Sequence, residues 1–315
     1  MKDVVKQNYA SGTAPRGSVE FGEAFGAWVK IAVYSLGGPA GQIAVMHRVL
    51  VEEKCWLSER RFLHALNYCM LLPGPEAQQL ATYSGWLLHG WRGGLTAGLL
   101  FILPGFLSIL ALSVLYVRFI DFALVAALFY GLKPAVMAVV IDALLRIGKK
   151  ALQGWPAVLI AAAAFVAIFF FAVPFPIIVV AAAILGLLAA RAGLVPSAAD
   201  DDEPLEAAPP SVLRTVAVVG GWAAIWLVPL GALFVALGPE NVFVRLGTFF
   251  SRAAIVTFGG AYAVLAYVAQ EAVLVHGWLQ PGEMLDGLGM AETTPGPLIQ
   301  VVQFVGFMGA YRDGA

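Results

Sequence analysis

Of the 315 residues, 60% are hydrophobic and only 12% are charged, with a mean hydropathy of +0.84. A soluble domain of this size cannot keep such a chain in water, so the sequence predicts an all-α, polytopic helical membrane protein. The net charge of −1 and the lack of any long basic run exclude a nucleic-acid partner.

The chain opens on a polar N-terminal tail, 1–19, with no apolar stretch of the signal-peptide kind. A first repeat is read over 20–195. It contains Lys30 within an apolar segment, the stretch SLGGPAGQ with Ser35, Gly37 and Gly38, and the stretch LLPGPEAQQL with Pro73, Gly74, Pro75, Glu76, Gln78 and Gln79. Apolar windows follow at 95–117, 122–145, 155–171 and 175–190, each near the roughly 20 residues that cross a bilayer. The second window holds Lys133 just before Pro134. Residues 196–210, PSAADDDEPLEAAPP, are too acidic and proline-rich for a membrane helix and are read as a linker. A second repeat covers 211–315, with an apolar window at 212–237, then Arg252, Thr257, Gly259 and Gly260, and finally TTPGPLIQ with Thr293, Thr294, Pro295, Gly296, Pro297 and Gln300.

The two repeats match without a gap. Residues 37–78 recur as 259–300, at an offset of 222, with 12 of 42 positions identical, among them both Gly-Gly pairs, both Trp-Leu pairs, both Pro-Gly-Pro triplets and Gln78 with Gln300. Glycine and proline suit a lipid-exposed helix poorly, so their repetition in corresponding hydrophobic segments predicts broken or re-entrant helices around a shared central site, a pattern typical of transporters. In each Pro-Gly-Pro the second proline can occupy the first position of a new helix, where its missing N–H is no loss. The free N–H groups and positive dipole end of that helix then favour an anion at the break. Hydroxyls of Ser35, Thr257 and Thr294, and amides of Gln78, Gln79 and Gln300, can add hydrogen bonds to an oxyanion.

Lys30 and Arg252 are equivalent at the same offset, and with Lys133 they form a candidate set of cations for a dianion. Snorkelling to the interface is the plain alternative for Lys30, and close packing or kinking is the plain alternative for the glycines. Glu76 sits in the first turn after the break, where it favours the dipole and is also the candidate carrier of a coupling proton. No cofactor and no metal is expected, since Cys55, Cys69 and the four histidines share no ligand spacing. Two topologies stay open. If 62–91 dips in and returns, most basic residues of the first repeat fall on one face; if it crosses as one broken span, the repeats become inverted.

At these residues the chain resembles the chromate ion transporter family. The stretches SLGGPAGQIAVMHR, WLSERRFLHAL, LLPGPEAQQLATYSGW, GWRGGLTAGLLFILPG, GLKPAVMAVV, TFGGAYAVLAYV and TTPGPLIQVVQFVGF carry the resemblance. It implies a multi-pass carrier of the bacterial inner membrane that expels chromate, or a sulfate-like dianion, using an ion gradient. Alternating access around the paired breaks is the expected mechanism, with chromate, the bilayer and in one reading a second copy of the chain as partners. Family members of the two-half type continue further past the second Pro-Gly-Pro, so the second repeat is expected to be incomplete. An integral-membrane enzyme acting on a lipid phosphate and an anion channel are the rival readings. The enzyme lacks a visible base or nucleophile set.

Overall fold

The computed structural model describes residues 19–36, 38–152, 154–171, 173, 175–192, 211–257 and 261–314, and these are almost wholly helical. Two compact units are formed, one from the described residues of Met1–Ala138 and Phe250–Ala315, the other from those of Val139–Phe249. The second unit contains the apolar helices Trp155–Phe171 and Phe175–Arg191, which pack on each other, and Val212–Leu237, none of whose residues is buried.

The first unit carries both Pro-Gly-Pro breaks. Its helices are α1 (Phe21–Tyr34), α2 (Gly38–His47, running into a π-helical turn Arg48–Glu53), α3 (Glu59–Leu71), α4 (Glu76–Phe119) and the start of α5 (Ala123–Ala151). The later part of the chain adds the end of α6 (Val242–Ile255), α7 (Ala261–Gln270, running into a π-helical turn Glu271–Val275), α8 (Glu283–Thr293), a 3-10 turn Leu298–Gln300 and α9 (Val301–Arg312). Shifted by 222 residues, α1 falls on α6, α2 and its π turn on α7 and its π turn, and α3 on α8. The duplication read in the sequence is therefore a duplication of structure, down to the widened helical turns.

Local chemistry explains the helix limits. Ser58 caps α3 by accepting a hydrogen bond from the Arg61 N–H at 3.3 Å, with Glu59 in the first turn to meet the dipole. In α1, Ala24, Ala27, Trp28 and Ile31 fall on one face and are buried, the spacing of a single helical stripe. They pack with Met46, Val49, Leu50, Phe62, Leu80 and Phe101. In a bilayer such packing gains little from water exclusion, so shape and small residues decide which helices meet.

α4 is not one straight rod. His89 (φ −132°, ψ 21°) and Gly90 (φ 61°, ψ −146°) leave the helical region and divide it into arms, 76–88 and 91–119. The arms lie antiparallel, because the Gln78 amide donates to the Gly98 carbonyl at 3.0 Å, a pair about 30 Å apart on a straight helix. Glycines make the fit possible: a Cβ on Gly85 or Gly93 would overlap the carbonyl of the other. α3 also folds back on the first arm, with the rings of Tyr68 and Tyr83 5.5 Å apart. α3 and the first arm of α4 thus form a helical hairpin with the first Pro-Gly-Pro at its tip. In the second repeat α8 folds back on α9 in the same way, Gly287 lying against Phe304 and Val301.

The second arm of α4 runs past both hairpins. Its residues 93, 94 and 98 face the first hairpin at Gly85, Thr82 and Gln78. Further on, the Ile102 and Phe106 carbonyls accept from Gln300 (2.8 Å) and Gln303 (3.0 Å), and Tyr116 meets Phe304 and Asp286. The first hairpin occupies the early half of this arm and the second hairpin the later half. Their tips meet near its middle.

Candidate functional site

Each tip is a Pro-Gly-Pro in which only glycine fits, with φ of +126° at Gly74 and +117° at Gly296. These values lie in the region that L side chains avoid. The two tips are tied to the opposite repeat. The Gly74 N–H donates to the Thr257 carbonyl at 2.7 Å, and the Gly296 N–H donates to the Ser35 carbonyl at 3.0 Å. Ser35 and Thr257 are themselves equivalent positions, so the repeats exchange one hydrogen bond for its mirror. Both side chains are buried, and each hydroxyl donates to the carbonyl four residues earlier, Ser35 to Ile31 at 2.6 Å and Thr257 to Ala253 at 2.7 Å. That bond closes α1 and α6 at the break and leaves the backbone carbonyl of each to face the incoming tip.

Between the tips lies a small cavity lined by Pro39 and Gln42, by Pro75, Glu76 and Ala77, and by Pro297, Leu298 and Ile299. The last two triplets are equivalent at the 222 offset, so the cavity sits where the two repeats face each other. It lies beside the beginnings of two helices, and in this arrangement the space, about 10 Å³, is lined by apolar atoms. Two positive dipole ends converge on one small space. Glu76 supplies the only acidic group among the described lining residues, and it is 9% exposed.

The other sequence-predicted residues fall into two groups. Those at the tips are together: Pro73, Gly74, Pro75, Pro295, Gly296 and Pro297 form the breaks, and Gly38, with φ 73°, begins α2 just before Pro39. The amides serve the protein. Gln78 and Gln300 donate to carbonyls of the second arm, and Gln79 donates to the Pro73 carbonyl at 2.7 Å, bracing the tip from within. Thr293 and Thr294 donate to carbonyls of α8. Gly37, Gly259 and Gly260 lie outside the described residues.

The three cations are not among the described cavity-lining residues. Lys30, 43% exposed, donates to Glu53 at 2.6 Å, with Arg48 3.5 Å from the same carboxylate and Lys54 paired to Glu23 at 2.8 Å. The hydrogen bond from Lys30, with the charges of Arg48 and Lys54, holds the Glu53 carboxyl below its usual range. Arg252 is exposed in the last turn of α6, within Coulombic reach of Tyr267. Lys133 lies 3.4 Å from Asp286.

Sequence reasoning passed over Gln42, which is 1% exposed and donates to the Gly296 carbonyl at 2.5 Å. Its Oε1 accepts no hydrogen bond among the described residues. Its equivalent is Val264, so a search for repeated residues gives it no weight. Gly105 was also passed over; it touches Gly296 closely enough that a Cβ on either would collide with the other's surroundings. Its signal was present in the LPG of the second arm, a third Pro-Gly pair in an apolar helix.

A family model described as chromate transporter matches residues 22–187 and 244–314. A chromate transport protein of Pseudomonas aeruginosa is 35% identical over 306 residues, covering 94% of this chain and 68% of that protein. A probable chromate transport protein of Synechococcus elongatus is 28% identical over 292 residues (91% and 69%), and a chromate transport protein of Cupriavidus metallidurans is 29% identical over 290 (91% and 67%). No solved structure matches the chain.

Proposed function

The chain belongs to the chromate transporter family, and on that premise we propose that it exports chromate, with sulfate-like dianions as related substrates, through the cavity between its two hairpin tips. The relatives named above are called transport proteins, not enzymes. The observation that carries the reading is the convergence of two equivalent helix beginnings on one cavity, with a glycine break at each. Once a tip withdraws and widens that space, an oxyanion can accept from the first-turn N–H groups without the desolvation penalty of a buried ammonium.

The mechanism follows from the hairpins. They lie against opposite halves of the second arm of α4, so when that arm spans the inner membrane they enter from opposite faces, and the repeats at 20–195 and 211–315 are inverted. Withdrawal of one tip opens the cavity to one side while the other stays closed, which is alternating access. The reciprocal Gly74 and Gly296 hydrogen bonds contribute about 0.5–1.5 kcal/mol each. That is enough to hold a closed state and small enough for substrate binding to overcome. Glu76 faces the anion, so its protonation favours loading. Lys30 and Arg252 act from outside the cavity as a field that draws the dianion in. Export needs no direct chemical fuel, because a membrane potential maintained by an ion gradient drives a negative charge outward by about 2.3 kcal/mol per charge at about 100 mV.

The test is chromate uptake into inverted membrane vesicles under an imposed potential, with sulfate in parallel. Saturable uptake that follows the potential is expected. Uptake linear in chromate would instead describe a channel, and vesicles that take up neither anion would refute the reading.

A further inference from the structure

Away from the cavity, α8, α9, α5 and the second arm of α4 enclose a chain of ionisable groups with no role in anion binding. Asp286 is 4% exposed. Its Oδ2 accepts from the Tyr116 hydroxyl at 3.1 Å, while Lys133 Nζ stands 3.4 Å from Oδ1. Oδ1 itself accepts no hydrogen bond among the described residues. One turn earlier, Glu283 is fully engaged. It pairs with both terminal nitrogens of Arg312 at 2.7 and 2.8 Å and accepts from the Gln280 N–H at 2.7 Å, with the Tyr116 hydroxyl 3.5 Å away.

Burying a carboxylate with one oxygen held only by a 3.4 Å ion pair costs more than a structural tie requires. An amide or a hydroxyl at 286 would anchor the hairpin without that cost. The arrangement is also confined to one repeat. The positions equivalent to Glu283 and Asp286 are Arg61 and His64, with His64 exposed on α3. A tie needed for the shape of the hairpin would recur in both repeats; this one does not. Lys133 is a third exposed, so the pair has a route to the surroundings on its lysine side.

We propose that Asp286 is a proton-exchange site, distinct from the anion cavity, that latches the second hairpin to α4 and α5. The inference rests on the transport reading above. With Asp286 ionised, Lys133 and Tyr116 hold α8 in place. When hydronium delivers one proton to Oδ1, an O–H bond forms, water leaves and the carboxylate loses its charge; Tyr116 keeps its own hydrogen. Lys133 then has no counter-charge and turns outward, and the hairpin is free to withdraw its tip. Among the described residues, the ionisable groups around Asp286 are Lys133 from α5, Tyr116 from α4, Glu283 on α8, and Arg312 from α9, which neutralises Glu283. One proton is thereby moved with each cycle of the second hairpin.

The test uses the whole chain in liposomes containing a pH-sensitive dye, with labelled chromate as the probe at about pH 8, where it is the dianion. Wild type is expected to exchange chromate at equal pH and to move protons with net chromate flux. Asp286→Asn keeps the shape and the bond from Tyr116, so exchange should stay within about twofold while coupled proton movement falls at least about tenfold. Lys133→Gln removes the cation that keeps Asp286 ionised, so coupled proton movement should persist to a pH about one unit higher than in wild type. This second variant decides the matter should Asp286→Asn fail to fold. Proton movement retained by Asp286→Asn, loss of exchange in a well-folded Asp286→Asn, an unmoved pH limit in Lys133→Gln, or driving by a sodium gradient in place of protons would each overturn the proposal. Wild-type chromate flux without proton movement sinks this inference alone, whereas no flux in wild type sinks the transport reading itself.

Discussion

At the scale of single residues, Gly74 and Gly296 carry the greatest weight, since each combines a left-handed backbone with a hydrogen bond to the other repeat. Gly74→Ala and Gly296→Ala should each destabilise the protein by about 1–2 kcal/mol through the forbidden φ. Their leucine counterparts should weaken sulfate binding, followed by titration calorimetry in detergent, far more than Leu110→Ala on the exposed side of α4. Equal affinities in the three variants would reduce the breaks to kinks. The Lys30 pair gives a pH test. Glu53 has a folded pKa below its unfolded value, so its pairing stabilises above the unfolded pKa, near 4.5, and the benefit is lost as pH falls through the lower folded value. Lys30→Met should therefore melt below wild type at about pH 7, and the gap should close below about pH 4. A gap that does not change with pH would mean that Lys30 acts by packing. The repeated glycines and prolines were legible because backbone geometry restricts residue choice at the tips. The partners of Lys30 were not, because Glu53 lies 23 residues away and meets it only after the chain doubles back between α1 and α2.

At the scale of elements, the length of apolar runs located the windows and began the first of them at residue 95, apart from what precedes it. The structure shows why that separation is sound: His89 and Gly90 reverse the chain just before it. The tight apposition of the arms was not legible, since a glycine in an apolar helix signals close approach without naming the partner. Gly93→Leu tests it. The side chain would meet the Gly85 carbonyl and the His89 Cβ, forcing the arms apart, and the variant should lose most of its monodisperse peak in size-exclusion chromatography. Gly22→Leu, with open space around its Cβ, serves as the comparison and should behave as wild type.

At the scale of the whole molecule, the tips hold the repeats together through contacts that need no covalent linker. Cleavage within 196–210, by a protease site placed there, should leave the two fragments co-purifying and chromate flux within about twofold of the intact chain, because the core contacts and the exchanged hydrogen bonds lie elsewhere. Fragments that separate in mild detergent would contradict this. The same exchange has a consequence for biosynthesis. Gly74 leaves the ribosome about 180 residues before Thr257, a delay of about 10–40 s at about 5–20 residues per second. Throughout that interval the first tip carries a donor with no acceptor in hydrocarbon, a state that costs several kcal/mol. The nascent first repeat is thus a natural client for an insertase or chaperone that shields its tip. If left unshielded, two such nascent chains can satisfy each other, Gly74 of each taking the Ser35 carbonyl of its neighbour in place of Thr257.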